Sequence, residues 1–149
     1  MTTTGLSVFD TTVQKSMKIV DDVSMKANIY DRHKAFQALR ATLQTLRDRL
    51  PVNEAVHLAA QLPVLLTGFY YENWKPSSVP KKDCTKDEFL DHIRSYMQDV
   101  DPRLDAEHSA RAVFAVLSKN VSAGEIDEVK QALPKELRDL WEKEATKSS

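Results

Sequence analysis

Apolar residues recur in steps of three and four through nearly every segment of this 149-residue chain. The clearest run is Phe36, Leu39, Leu43, Leu46 and Leu50, which places five large side chains on one face of a helix. Asp31 is suited to cap its start, and Pro51 cannot continue it. The same reading predicts eight helices. The first covers residues 8–28, with Val13, Met17, Val20 and Val23 inward, and the second residues 31–50. A short third helix covers 53–61, with Val56, Ala59 and Ala60 available for packing. Pro63 opens the fourth in its first turn, where a missing N–H does no harm, and Leu65, Leu66, Phe69 and Tyr70 follow. Thr85 and Glu88 read as a capping box for the fifth, which carries Phe89, Leu90, Ile93, Met97 and Val100. The sixth, over 105–120, carries Val113, Phe114, Val116 and Leu117. Ser122 and Glu125 read as a second capping box, opening the seventh with Ile126, Val129 and Leu133. Pro134 opens the eighth, with Leu137, Leu140 and Trp141, and the tail over 143–149 is polar and expected to fray.

This pattern repeats. Residues 38–71 lie over residues 109–142 without a gap, and the pair Leu62-Pro63 returns 71 positions later as Leu133-Pro134. At the same shift Arg40 matches Arg111, Ala41 matches Ala112, Leu46 matches Leu117, Glu54 matches Glu125 and Leu66 matches Leu137. A shared register of apolar positions, helix starts and prolines points to one supersecondary unit used twice. The fold expected is all-α: two tandem four-helix repeats, about 8–74 and 85–145, packed as one compact domain over 1–149. The segment 75–84, with two prolines, two serines and several lysines, joins them. A unit of about 70 residues has a thin core alone, so the halves are expected to share an interface.

Composition narrows the classes. A chain of this length buries a core without disulfides or metal. The formal net charge of −1 lacks the basic footprint of a general nucleic-acid or anionic-membrane binder. No run approaches the ~20 apolar residues of a membrane span, and residues 1–7 do not read as a signal peptide. The cytoplasm is therefore expected. The single cysteine, Cys84, lies in the polar linker beside Lys81, Lys82 and Lys86 and reads as a surface thiol.

The stretches Ala38-Leu-Arg-Ala-Thr-Leu-Gln-Thr-Leu-Arg-Asp-Arg-Leu-Pro51, Ala59-Ala-Gln-Leu-Pro63 and Gly68-Phe-Tyr-Tyr-Glu-Asn-Trp-Lys-Pro76 together resemble the DUF2267 family. Gly124-Glu125 and Gln131-Ala-Leu-Pro-Lys-Glu-Leu-Arg-Asp-Leu-Trp141 extend the resemblance through the second half. It implies an all-helical bacterial protein. It supplies no catalytic residues and leaves function open.

Candidate chemistry is sparse. Three glycines leave no phosphate loop or dinucleotide fingerprint, and no nucleophile motif or Cys-x-x-Cys occurs. Glu54 and His57 have the i, i+3 spacing that projects two ligands from one helix face. The matched pair in the second repeat is Glu125 and Glu128, so a mixed metal site across a repeat interface is geometrically open. Against it, helix first turns favour acidic residues, and Glu125 is already assigned to its capping box. His33, His92 and His108 lack ligand spacing and read as surface residues. Arg40 and Arg111 could form a paired anion site, as in a stress or regulatory protein. The alternative is a structural role for each, bridged to Glu54 or Glu125. Phe69 and Tyr70 match Leu140 and Trp141 and are expected in the core, whereas Tyr71 and Trp74 have no such match. Those two are the expected contact surface for a protein partner or a second copy of the chain, unless they pin the linker to the fold. The leading expectation is a non-enzymatic interaction or scaffolding module with no cofactor. The alternative is a metal- or small-ligand-binding protein using Glu54, His57, Glu125 and Glu128.

Overall fold

The starts of the helices lie where capping chemistry puts them. The carboxylate of Asp31 accepts from the backbone N–H of Lys34 at 3.0 Å, and that of Asp105 from His108 at 3.1 Å. Thr85 and Glu88 complete a reciprocal capping box. Each device satisfies an N–H that helix geometry leaves open, at about 1 kcal/mol. A computed structural model describes residues 4–81 and 85–142, and every regular element among them is helical. The first half comprises α1 (Ser7–Ala27), α2 (Arg32–Arg47), α3 (Val52–Ala59) and α4 (Val64–Tyr71). A short 3-10 turn, Pro76–Ser78, lies in the expected linker. The second half comprises α5 (Lys86–Met97), α6 (Ala106–Asn120), α7 (Ala123–Ala132) and α8 (Lys135–Arg138), which runs on into a 3-10 turn, Asp139–Trp141. The fold is all-α.

Pro63 and Pro134 stand one place earlier than the sequence suggests, as cap residues with extended backbone rather than inside the first turn. The carbonyl of Pro63 accepts from Thr67 and that of Pro134 from Leu137, each at 2.9 Å. α2 stops at Arg47, short of Leu50, because tighter turn bonds (Arg49 to Leu46, Leu50 to Arg47) close its end before Pro51.

The spacing in α2 predicts one buried face, yet the structure buries nearly its whole circumference. Ala35, Ala38, Leu39, Ala41, Thr42, Leu43, Gln44, Thr45, Leu46 and Arg47 are all buried, because α1, α4, α5 and α6 pack around this one helix. Its alanines admit close neighbours while its leucines fill the layers between. Its buried polar groups are largely satisfied. Gln44 donates to the Phe69 carbonyl at 2.9 Å, and Arg47 donates to the carbonyls of Tyr70, at 2.7 Å, and Glu72. Those carbonyls lie at and just beyond the end of α4, where that of Phe69 also accepts from the Glu72 N–H at 3.3 Å, so the two side chains tie the end of α4 to the core.

Several expected inward residues differ, among them Ala60, which is exposed. Val13 and Met17 are only half-buried, since the buried stripe of α1 is Ile19, Val20, Val23 and Ala27. Val56 is 42% exposed, because α3 turns Ala55, Leu58 and Ala59 inward. One continuous cluster of buried apolar side chains includes residues of both halves, from Val20 and Leu43 to Phe89, Leu117 and Leu137. α1 crosses to α6, α2 to α5 and α6, and α3 to α7. Among the described residues no helix is long and apolar enough to cross a membrane.

Candidate metal centre

The contact of α3 with α7 brings together the two acidic pairs singled out above. On α3 the i, i+3 spacing sets Glu54 and His57 on one face, and on α7 it does the same for Glu125 and Glu128. One donor atom from each of the four residues lies within 4.8 Å of all the others. Two donors on a single ion at about 2.1 Å stand at most about 4.2 Å apart. Four such donors stand about 3.4 Å apart in a tetrahedron, so closing the cluster onto an ion takes movements of up to about an ångström. Its outer members, His57 with a side chain 62% exposed and the exposed Glu128, are free to make them.

Glu125 reaches this cluster by leaving the capping role the sequence assigns to it. Ser122 Oγ accepts from the backbone N–H of Glu125 at 3.2 Å, which is half of a capping box. The other half is absent: the Ser122 N–H donates to Gln61 Oε1 at 2.8 Å, and Gln61 Nε2 donates to Ser122 Oγ at 3.2 Å. Gln61, just beyond the end of α3, takes the place that the Glu125 carboxylate would fill and leaves that carboxylate to face Glu54. Sequence reasoning missed this function of Gln61, because no local motif connects it to Ser122.

The electrostatics are those of a site short of positive charge. Glu125 is 7% exposed and Glu54 has a side chain 17% exposed. The Oε2 atoms of both are buried without a hydrogen-bond partner. Two ionised carboxylates are both acceptors, so neither can satisfy the other unless a proton or a cation lies between them. Burial first, then hydrogen bonding with Glu54 and the charges of Glu54 and Glu128, push the Glu125 carboxyl up from 4.5 to about 7. Nδ1 of His57 lies 4.0 Å from Glu54 Oε2. Behind the site, Tyr70 is fully buried and donates its hydroxyl to the Ala55 carbonyl at 2.9 Å; burial pushes this phenol far up. Three carboxylates and one imidazole form an oxygen-rich donor set suited to a divalent ion.

The remaining expected residues lie elsewhere. Arg40 pairs with Glu72 at 2.6 Å, its guanidinium 5.7 Å from the Phe69 ring centre. Arg111 pairs with Glu107 and Asp139, each at 2.9 Å, and donates to the carbonyls of Asp139 and Glu142. The partners expected for them, Glu54 and Glu125, are replaced because each arginine holds the chain leaving α4 or α8, whereas the two glutamates face one another. Tyr71 and Trp74 stack at 5.3 Å between ring centres and pack half-buried against the core. Tyr70 is fully buried and Phe69 half-buried, its ring edge-on to Phe36 at 5.0 Å. His33, His92 and His108 are exposed. Lys86 bridges to Glu107 and Asp139 at 3.1 and 3.2 Å. Cys84 and Lys82 lie outside the described residues.

No curated protein matches the sequence. The family model DUF2267, described as an uncharacterized conserved protein, matches residues 16–140, and the chain belongs to that family.

Proposed function

We propose that this protein binds a divalent metal ion across the α3–α7 contact through Glu54, His57, Glu125 and Glu128. One observation carries the reading: four donors converge within 4.8 Å around a carboxylate, Glu125, that is more than nine-tenths buried and whose Oε2 lacks a hydrogen-bond partner. Buried charge without a counter-charge costs several kcal/mol, and an ion supplies the missing partner. Among the described residues, no Lys or Arg forms an ion pair with Glu54, Glu125 or Glu128, and the arginines weighed for that place are engaged elsewhere. The test is titration calorimetry of chelator-treated protein with Mn2+, Co2+ and Zn2+, beside elemental analysis of protein purified without chelator. One ion per chain, weakened by His57→Ala and lost in Glu125→Gln with helicity retained, is expected. Absence of binding by all three ions removes the reading.

We also propose that the two halves are one four-helix unit used twice. Contacts in matched pairs support this: α1 with α2 and α5 with α6, α1 with α4 and α5 with α8, α1 with α6 and α2 with α5. On this reading the metal site lies where the matched helices α3 and α7 meet, and it takes one pair of donors from each unit.

A second reading, a protein-interaction module, draws support from exposed apolar residues at the adjoining starts of α1 and α4. Val8 is 69%, Phe9 53% and Val64 78% exposed, and the Leu65 N–H donates to Thr12 Oγ1. Sedimentation velocity at rising concentration tests self-association there; an assembly dissolved by Phe9→Asp supports it, and a monomer at every concentration removes it.

A further inference from the structure

The α3–α7 centre has an inside and an outside, and they differ in what they can offer an ion. On the inside lie Glu125 and Glu54, both largely buried, backed by Tyr70. The Tyr70 hydroxyl already donates to Ala55. Two neutral side chains at the same helix contact, Gln61 and Ser122, are engaged with one another through two hydrogen bonds. The protein therefore offers four donor side chains and no neutral fifth from these neighbours. On the outside, His57 and Glu128 are exposed to solvent. Structural zinc sites are closed tetrahedra built mostly of Cys and His, and this donor set is of another kind. Mn2+ and its neighbours take five or six donors when the ligands are mainly oxygen. With each side chain giving one atom, about two positions of a six-coordinate ion are left for solvent. Charge then selects what can enter. Three carboxylates against a divalent ion leave the filled site net negative, so a further anion is disfavoured and a neutral donor is not.

Resting on the metal reading above, we infer that the ion keeps solvent-facing positions beside His57 and Glu128, filled by exchangeable water and open to a small neutral oxygen or nitrogen ligand. The centre is thus a ligand-accepting one, with its reactive side turned outward and its anchoring carboxylates turned in.

The experiment uses the full chain loaded with Co2+ and, separately, with Mn2+. Cobalt reports coordination number: weak visible bands are expected of a five- or six-coordinate ion, and intense tetrahedral bands overturn the inference. Manganese reports bound water. The longitudinal relaxation of water protons per bound Mn2+ should rise several-fold above that of the free ion, and a value at or below the free ion overturns the inference. Added imidazole should shift the cobalt bands, while azide at the same concentration should not. An azide shift with none from imidazole overturns the charge argument. Free Mn2+ is counted by its electron paramagnetic resonance signal in the same samples. An ion that binds but carries no exchangeable water defeats this inference alone, whereas an ion that does not bind defeats the metal reading with it.

Discussion

Replacing Glu125 by Gln should make the metal-free protein more stable at high pH and leave it unchanged at low pH. The native carboxyl is pushed up from 4.5 to about 7 by burial, by Glu54 and by Glu128. A carboxyl that holds its proton more tightly when folded favours the folded state below its unfolded value. That advantage is lost as pH rises from about 4.5 through about 7, where folding must bury an unwanted charge. At a factor of ten per unit, the full cost above pH 7 is about 3 kcal/mol, an order-of-magnitude figure for a group this buried. Gln keeps the shape and donates an N–H to Glu54 in place of the proton. For a domain of about 150 residues the gain corresponds to roughly 6–12 °C in Tm, set against a total stability of about 5–15 kcal/mol. Urea unfolding in chelator at pH 4.5 and pH 8, for both proteins, measures it. The difference should be small at pH 4.5 and reach about 3 kcal/mol at pH 8. A difference that does not change with pH would refute the reasoning, since the folded state would then not penalise the ionised carboxylate through burial and repulsion. In saturating metal the order should reverse, because the ion stabilises only the wild-type protein.

Other consequences concern residues that hold the site and the core in place. Arg47→Met keeps the apolar stem but strips the Tyr70 and Glu72 carbonyls of their donor, and should lower unfolding free energy by about 2–4 kcal/mol in denaturant melts. Gln61→Ala frees the Ser122 N–H, so Glu125 should swing back to complete its capping box; helicity should hold while metal affinity, read by calorimetry, falls. The Arg103 and Lys34 side chains beside Asp101 hold its carboxyl well below the usual range. Its stabilising effect is present above pH 4 and lost as pH falls further, so acid melts of Asp101→Asn should show a shallower loss below pH 4 than the wild type.

The helices were legible because each carries its own signal. Thr85 and Glu88 cap α5 within four residues of chain, and the apolar spacing of α2 needs no other segment to be read. What escaped the sequence is what one helix does to another. α2 reads as one-faced because its alanines and buried polar residues do not mark the second face, which exists only because α5 and α6 arrive there. Arg40 reads as a partner of Glu54 or Glu125 because all of these positions match between the two repeats, yet it meets Glu72 beyond the end of α4.

The candidate site combines both kinds of information. The spacing of Glu54 with His57, and of Glu125 with Glu128, states which side chains share a face, and it is visible without a structure. Whether the two faces meet depends on the α3–α7 contact. Whether Glu125 is available to the site depends on Gln61, 61 residues before the serine it binds. A capping box is a local minimum that Glu125 would occupy in an isolated α7. The folded chain supplies Ser122 with a different partner and holds the Glu125 carboxylate against a like charge, in a buried place where its Oε2 has no donor. A local preference given up for an unfavourable charge contact requires a compensating interaction. The Gln61–Ser122 hydrogen bonds are neutral and exposed, worth about 0.5–1.5 kcal/mol each. They offset part of the cost of about 3 kcal/mol that burial first, and then Glu54 and Glu128, impose on an ionised Glu125 above pH 7. Below about pH 7 a proton held between Glu125 and Glu54 supplies the rest; above it a bound cation has the right sign, which is why the displaced capping residue argues for the proposed metal more strongly than does the count of acidic groups.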